Sequence, residues 1–259
     1  MKIVERCLGG LSVWQVDSWL KARIFHGFLG GDLDVKERIG DPELFLPEEA
    51  CGAANLPVLQ LRQVHSADIS EASRSESRDL LLHPRTGDGW FAKSLLNADP
   101  SAVLGVRTAD CFPVLLWGVS GEHLLVAALH CGWRGTVAEL LPRAIDALTE
   151  RGTSRSTIEV AIGPGARGCC YEIGEDVLAQ LPTTHGVGDE QELVVRRSGK
   201  IFCHLPALLR AQARGCSVED DRISEVECCT ICDPRFFSYR RQKAHSGRQL
   251  SFICTSFVC

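Results

Sequence analysis

No apolar stretch in the chain approaches 18 consecutive residues, so no transmembrane helix is expected. There is no long basic run and the net charge is -5, which argues against a dedicated nucleic-acid binder with its basic face. The opening residues, Met1-Lys2-Ile3-Val4-Glu5-Arg6, lack the uninterrupted apolar core of a signal peptide. Internal repeats and low-complexity tracts are also absent, which excludes a repeat architecture. Cysteine, by contrast, is abundant. Thirteen residues is an odd count, and with no secretion signal it argues against a disulfide framework. Reduced, mostly buried thiols in a cytoplasmic protein are expected instead. A length of 259 residues, 45% of them hydrophobic, allows a sizeable core in one large domain or two small ones.

The middle of the chain alternates between strand and helix patterns. Short apolar runs at 102–107, 112–117 and 123–129 predict buried strands. Val137, Leu140, Leu141, Ala144, Ile145 and Leu148 have helical spacing, so one helix is predicted over 136–151, capped by Thr136 and stopped by Gly152. A strand at 158–162 runs into the turn Gly163-Pro164-Gly165. Residues 171–181 and 205–214 read as helices, and 223–228 and 250–257 as strands. The stretches 70–79 and 183–190 read as surface loops. The pattern is mixed α and β, with more strands than a simple doubly wound sheet requires.

Three motifs carry residues suited to chemistry: Gln63-Val64-His65-Ser66, Thr108-Ala109-Asp110-Cys111, and Leu129-His130-Cys131-Gly132-Trp133-Arg134-Gly135. Two imidazoles and a thiolate make a plausible zinc set with a fourth position open to water or substrate. His65 precedes Cys111 by 46 residues and Cys111 precedes His130 by 19, gaps too long for a zinc finger but suited to the ends of separate strands. The alternative is a core thiol and two unrelated histidines. Asp110 either orients a ligand or caps a turn. Asp88, between Gly87 and Gly89, is either a general base or a turn residue.

Cys229 and Cys232 form C-x-x-C. A structural zinc needs a second close pair, and the adjacent Cys169 and Cys170 are poorly spaced to share one metal, so buried thiols are the favoured reading. Gly163-Pro164-Gly165-Ala166-Arg167-Gly168 is out of register for a nucleotide-binding loop and reads as a tight turn. Arg134, Arg240 and Arg241 offer planar guanidinium forks for phosphate or carboxylate, against the plainer reading of surface ion pairs.

Taken together, these segments resemble the laccase-domain or polyphenol-oxidase-like family, which includes the peptidoglycan editing factor and purine nucleoside phosphorylase groups. The resemblance also covers Ile162-Gly163-Pro164, Cys170-Tyr171-Glu172-Ile173, Cys229-Thr230, Phe237-Ser238-Tyr239-Arg240-Arg241 and Gly247-Arg248, in the family's order from residue 63 to 248. It implies an α+β fold of four layers, α/β/β/α with mixed sheets, here as a single domain over 1–259. It implies one zinc held by His65, Cys111 and His130, with copper as a lesser possibility. It also implies an enzyme of small molecules: phosphorolysis of adenosine, inosine or methylthioadenosine, and deamination of adenosine. Under this reading Cys111 and Asp88 are the catalytic candidates, and Arg134 and Arg240 bind the phosphate or ribose side of a purine nucleoside.

Three other functions follow from the same residues. One is an amide hydrolase editing cell-wall precursors, with Cys111 as nucleophile and His130 or His65 as base. Another is copper-dependent phenol oxidation, although a multicopper cluster consumes more imidazoles than the eight present. The third is a non-catalytic, zinc-stabilised binding domain. No nucleic-acid or membrane partner is expected. Two departures from the family pattern stand out. Phe28 or Leu29 occupies the place of an expected Arg, which predicts weaker phosphate binding if that Arg holds an anion. Cys131 replaces an Ala, which puts a second thiol beside the metal.

Overall fold

The predicted strands at 102–107, 112–117 and 123–129 all form, and each runs on by up to three residues. The first belongs to one six-stranded mixed sheet, and the other two are the central pair of a second. The computed structural model describes residues 1–73, 75–181 and 193–256. The first sheet runs, edge to edge, through β1 (Ile3–Leu8), β2 (Leu11–Val16), β3 (His26–Leu29), β15 (Gln249–Thr255), β7 (Ala102–Thr108) and β4 (Val58–Gln60). The second runs through β14 (Ile223–Glu225), β10 (Glu159–Ile162), β8 (Phe112–Ser120), β9 (His123–Cys131), β6 (Gly89–Leu95) and β5 (Ile69–Glu71). A small third sheet joins β11 (Glu172–Ile173), β13 (Lys200–Cys203) and β12 (Val194–Arg197).

Period-two alternation explains how the layers stack. Leu115 points into the space between the two large sheets, where it meets Trp14, Phe28, Leu104 and Val126. Its neighbours Val114 and Leu116 point the other way, onto the helices Leu140–Glu150 and Leu205–Gly215 through Leu141, Ile145, Leu208 and Leu209. The outer face of the first sheet, with Val13, Val103 and Phe252, is covered by the helix Glu48–Cys51 and by Val35, Leu44 and Leu46. The result is the expected α/β/β/α order, with each fully buried Leu or Ile contributing about 1.5–3 kcal/mol. No helix among the described residues is long and apolar enough to cross a membrane.

Several elements differ from the sequence expectation. The single helix predicted over 136–151 is two helices, Trp133–Val137 and Leu140–Glu150, with Glu139 between them at φ 63°. Pro142 explains the break. Inside a continuous helix it would lose a hydrogen bond and clash one turn back, whereas a restart at Leu140 places it harmlessly in the first turn. Thr136 is therefore not a cap; it lies within the first helix and its hydroxyl donates to the Gly132 carbonyl at 3.0 Å. The helix expected over 171–181 is instead β11 followed, after Gly174, by the short helix Glu175–Leu178. The 70–79 loop holds the end of β5 and the start of the helix Ser77–Leu82. The 183–190 loop and Phe257 lie outside the described residues.

The junction between the sheets depends on close backbone approach. A Cβ on Gly163 would lie 2.3 Å from the Phe28 ring and 2.6 Å from Pro113, so only glycine lets the turn after β10 pack against β3 and β8.

His26 is a buried polar group in β3 with both ring nitrogens used. Val16 N–H donates to Nε2 at 2.8 Å and Nδ1–H donates to the Ile24 carbonyl at 2.8 Å. Burial lowers its pKa from the usual 6.5 to about 4, with the Ile24 bond pulling the other way. The unfolded chain therefore takes up a proton here before the folded one does. Stability should be fully present above pH 6.5 and fall as the pH drops toward about 4, by up to about 1.4 kcal/mol per pH unit. Denaturant melts of the wild type and His26→Gln across that window test this: the wild type should show the steeper loss, and equal slopes would disprove it.

Candidate metal centre and active site

β8 and β9 are antiparallel neighbours, with Pro113 opposite His130 and Phe112 opposite Cys131. This pairing brings Cys111, just before β8, beside the end of β9. β6 pairs with the other side of β9, with Gly89 opposite Leu129, so Asp88 lies next to His130 and accepts its backbone N–H at 2.8 Å. His65 arrives from the loop beyond β4. Gln63 anchors that loop to β7: its amide donates to the Arg107 carbonyl and its carbonyl accepts the Arg107 N–H, both at 2.8 Å.

Asp88 organises the three arrivals. Its carboxylate accepts N–H bonds from Val64 (3.2 Å), His65 (3.0 Å) and Ser66 (2.6 Å), which hold His65 at φ 62°. It also accepts Nδ1–H of His130 at 2.8 Å, which turns Nε2 toward Cys111. Burial works against the charge on Asp88, but the bonds from His130 and the loop N–H groups outweigh it and lower its pKa. Asp88, expected as a general base or a turn residue, is 0% exposed and does not line the cavity; its carboxylate is taken up by these four donors. A carboxylate–histidine pair of this kind fixes ring tautomer and orientation at metal sites.

The donor atoms of His65, Cys111 and His130 all lie within 4.8 Å of one another. The two imidazole rings meet edge to face with centroids 4.9 Å apart. A Cβ on Gly132 would sit 3.0 Å from Cys111 Sγ and 3.1 Å from the His65 ring, so the glycine leaves the donors free to converge. Burial opposes ionisation of Cys111, but the charge of His130 and hydrogen bonds from both histidines bring its pKa down to about 6. Burial likewise opposes charge on His130, and the Cys111 thiolate and Asp88 raise its pKa to about 9. The pair is therefore a thiolate and an imidazolium near neutral pH, and a metal bound by the thiolate would displace the His130 proton. Two imidazoles and one thiolate suit a single zinc and leave an open position.

The donors line a cavity of about 520 Å³. Arg134 and Arg240, expected at a substrate site, both line it. Arg134 lies over Trp133 at 4.5 Å, and Arg240 over Tyr171 at 5.0 Å with a bond to the Glu172 carbonyl. Arg241 faces away, donating to the carbonyls of Thr230 and Ile231. Sequence reasoning overlooked Lys36, Arg107 and Arg248, which also line the cavity. Arg248 had a signal, since Gly247-Arg248 belongs to the family pattern; Lys36 and Arg107 had none. Arg107 Nη1 donates to the Lys36 carbonyl, while its buried Nε has no partner. Burial and the neighbouring Arg248 lower the Arg107 pKa, against the opposing pull of Glu37.

Three further expectations resolve in the structure. Phe28 lies in the inter-sheet core and Leu29 in the outer core of the first sheet, so neither stands where a cavity Arg would be. Cys131 is 0% exposed, because the strand alternation that presents His130 sends the next residue into the core. Burial pushes its thiol far up, so it stays protonated in the core and does not face the donor set as a second thiolate. Asp110, at φ 90°, touches neither histidine. It accepts the Thr230 hydroxyl at 2.7 Å and the Arg240 N–H at 2.6 Å, tying the Cys111 turn to two other loops.

Residues 45–256 match the family model described as multi-copper polyphenol oxidoreductase laccase. The chain is 32% identical over 226 residues to a purine nucleoside phosphorylase of Deinococcus radiodurans, covering 85% of this chain and 81% of that one. It is 34% identical over 196 residues to adenosine deaminase RL5 of an unknown prokaryotic organism, covering 74% and 72%. Its fold is similar to that of YlmD from Geobacillus stearothermophilus, with a TM-score of 0.77 at 22% identity over 98% of this chain and 100% of that one. The chain belongs to the laccase-domain, polyphenol-oxidase-like family that these relatives share.

Proposed function

We propose that the chain, read as one domain over 1–259, is a zinc-dependent enzyme of purine nucleosides. It cleaves adenosine, inosine or methylthioadenosine with phosphate and deaminates adenosine. The observation that carries this reading is one cavity lined both by a His-Cys-His donor set and by the cations Lys36, Arg107, Arg134, Arg240 and Arg248. The names of the similar proteins support the substrate class.

His65, Cys111 and His130 would hold the ion, and Asp88 keeps the His130 ring and the His65 loop in place. When bound, zinc supplies Lewis acidity at the open position. Lys36, Arg107 and Arg248, which line the cavity together, hold phosphate. In phosphorolysis a phosphate oxygen bonds to the ribose C1′ as the C1′–base bond breaks and its electrons leave with the purine. In deamination water adds at C6 and ammonia departs. Burial raises the Tyr171 phenol to about 12, so it lines the cavity as a neutral hydroxyl.

Product analysis on adenosine tests the reading. A free base and ribose 1-phosphate that form only with phosphate present establish phosphorolysis, and inosine without phosphate establishes deamination; neither product would overturn the proposal. Arg107→Gln should raise the KM for phosphate about 10–100-fold, the worth of a lost charged hydrogen bond. Deamination should hardly change, and an unaltered phosphate KM would remove Arg107 from the phosphate site. Copper on the same ligands is the competing occupancy, and a metal assay separates the two.

One observation favours a second reading. Cys111, His130 and Asp88 are linked in the order nucleophile, base and orienting carboxylate, the arrangement of an amide-cleaving thiol enzyme. Zinc and substrate would then compete for one thiolate. A chelator that activates amide hydrolysis of a cell-wall precursor would establish this function, and one that abolishes all turnover would reject it.

A further inference from the structure

A second group of four thiols lies outside the cavity. Cys169 and Cys170 stand in the turn beyond Gly165, and Cys229 and Cys232 in the loop beyond β14. A parallel bridge between Gly165 and Cys229, with Thr230 N–H donating to the Gly165 carbonyl at 3.1 Å, holds the two loops side by side. The four sulfurs all lie within 4.8 Å of one another. Cys232 Sγ is 3.0 Å from that of Cys170 and 3.5 Å from that of Cys169.

These spacings discriminate between the things four thiols can do. A tetrahedral zinc with bonds of about 2.3 Å sets its sulfurs about 3.8 Å apart, so the group accommodates one ion with shifts of under about an ångström. A disulfide needs about 2.05 Å between sulfurs. An iron–sulfur cluster puts several metal and sulfide atoms between its cysteines and spreads them further.

The sequence argued against this site because adjacent cysteines are poorly spaced to share one metal, as they are in a strand, where neighbours point to opposite faces. Cys169 and Cys170 are not in a strand. Cys170 and Tyr171 both donate N–H to the Arg167 carbonyl, at 2.9 and 2.8 Å. In such a helical turn successive side chains differ by about 100° rather than 180°, so both can face one ion. The other pair is prepared as well. Cys229 Sγ accepts the Arg167 N–H at 3.5 Å, and the N–H groups of Ile231 and Cys232 also point at it. Backbone donors converging on one sulfur favour the thiolate, the ligating form.

We propose that Cys169, Cys170, Cys229 and Cys232 bind one structural zinc ion, separate from the His65–Cys111–His130 centre. All four positions are filled by protein, so the ion serves as a clasp rather than a catalyst. It joins the turn that leads to Tyr171, a cavity wall residue, to the loop of Thr230, whose hydroxyl donates to Asp110 beside Cys111 at 2.7 Å. The clasp thus fixes one side of the active site.

Metal analysis of the purified full-length chain and three variants tests this. Cys170→Ser/Cys232→Ser, at half-buried and exposed positions, should hold one zinc fewer per chain than the wild type. Cys111→Ala should keep that ion, and the combined variant should hold none. Cobalt(II) loaded into Cys111→Ala should show the strong thiolate-to-metal charge-transfer bands of a tetrathiolate site, a readout that needs no clasp variant to fold. Unchanged zinc in Cys170→Ser/Cys232→Ser overturns the proposal, as does a Cys170–Cys232 disulfide in the unreduced protein. Iron in place of zinc on these thiols overturns the zinc assignment. Failure of the nucleoside reading changes none of these outcomes.

Discussion

Cys111→Ala should abolish nucleoside turnover and remove one metal ion per chain in the same step. Two imidazoles alone are a poor site, and the lost thiolate is the charged member of the set. The loss should exceed the about 10–100-fold that removal of an outer-shell partner costs a metal site. The fold should survive, because Cys111 is only partly buried at the rim of the cavity and its turn is tied by Asp110 to Thr230 and Arg240. His130 also loses the anion that raises its pKa to about 9, so its ring should titrate lower in the variant, as NMR can follow. Wild-type turnover in a variant shown by elemental analysis to lack that ion would reject a metal-dependent reaction. Full metal content in the variant would reject Cys111 as a ligand.

Asp88→Asn should do nearly as much damage from a residue that never meets the substrate. The carboxylate serves four donors: the N–H groups of Val64, His65 and Ser66, and Nδ1–H of His130. An amide keeps one oxygen and turns an NH2 toward the rest, so at least one buried N–H loses its acceptor at a cost of about 1–3 kcal/mol. The His130 ring then loses its fixed tautomer, and the His65 loop the bonds that hold its left-handed backbone. Zinc affinity, measured against a competing chelator, should fall about 10–100-fold, with a lower denaturation midpoint. If Asp88 were the general base instead, Asp88→Asn would lose turnover while keeping wild-type metal affinity. That result would restore the role the sequence first suggested.

The sequence made the central strands legible because β8 and β9 are continuous apolar runs buried on both faces. It concealed the break in the helix after β9, because the apolar spacing of Val137 to Leu148 runs straight across it and only Pro142 marks it. The site divides in the same way. His65, Cys111 and His130 were candidates from residue type, and the family resemblance made them a set. Asp88 was noticed as a general base or a turn residue, but nothing local reveals that three N–H groups from a loop over 20 residues away converge on it. Lys36 and Arg107 were ordinary surface cations until the fold placed them at one cavity with Arg248.

The order of motifs from Gln63 to Arg248 determines the family, and with it the four-layer fold and the donors for one metal. These are properties of residue type and order, which a chain carries before it folds. Tertiary structure alone decided which groups share a cavity, that Cys131 is buried in the core, and that Cys169, Cys170, Cys229 and Cys232 form a group. Those outcomes depend on strand register and on the rotation of a turn. Both are set by contacts between segments far apart in the chain: Cys169 and Cys232, 63 residues apart, meet only because Gly165 pairs with Cys229.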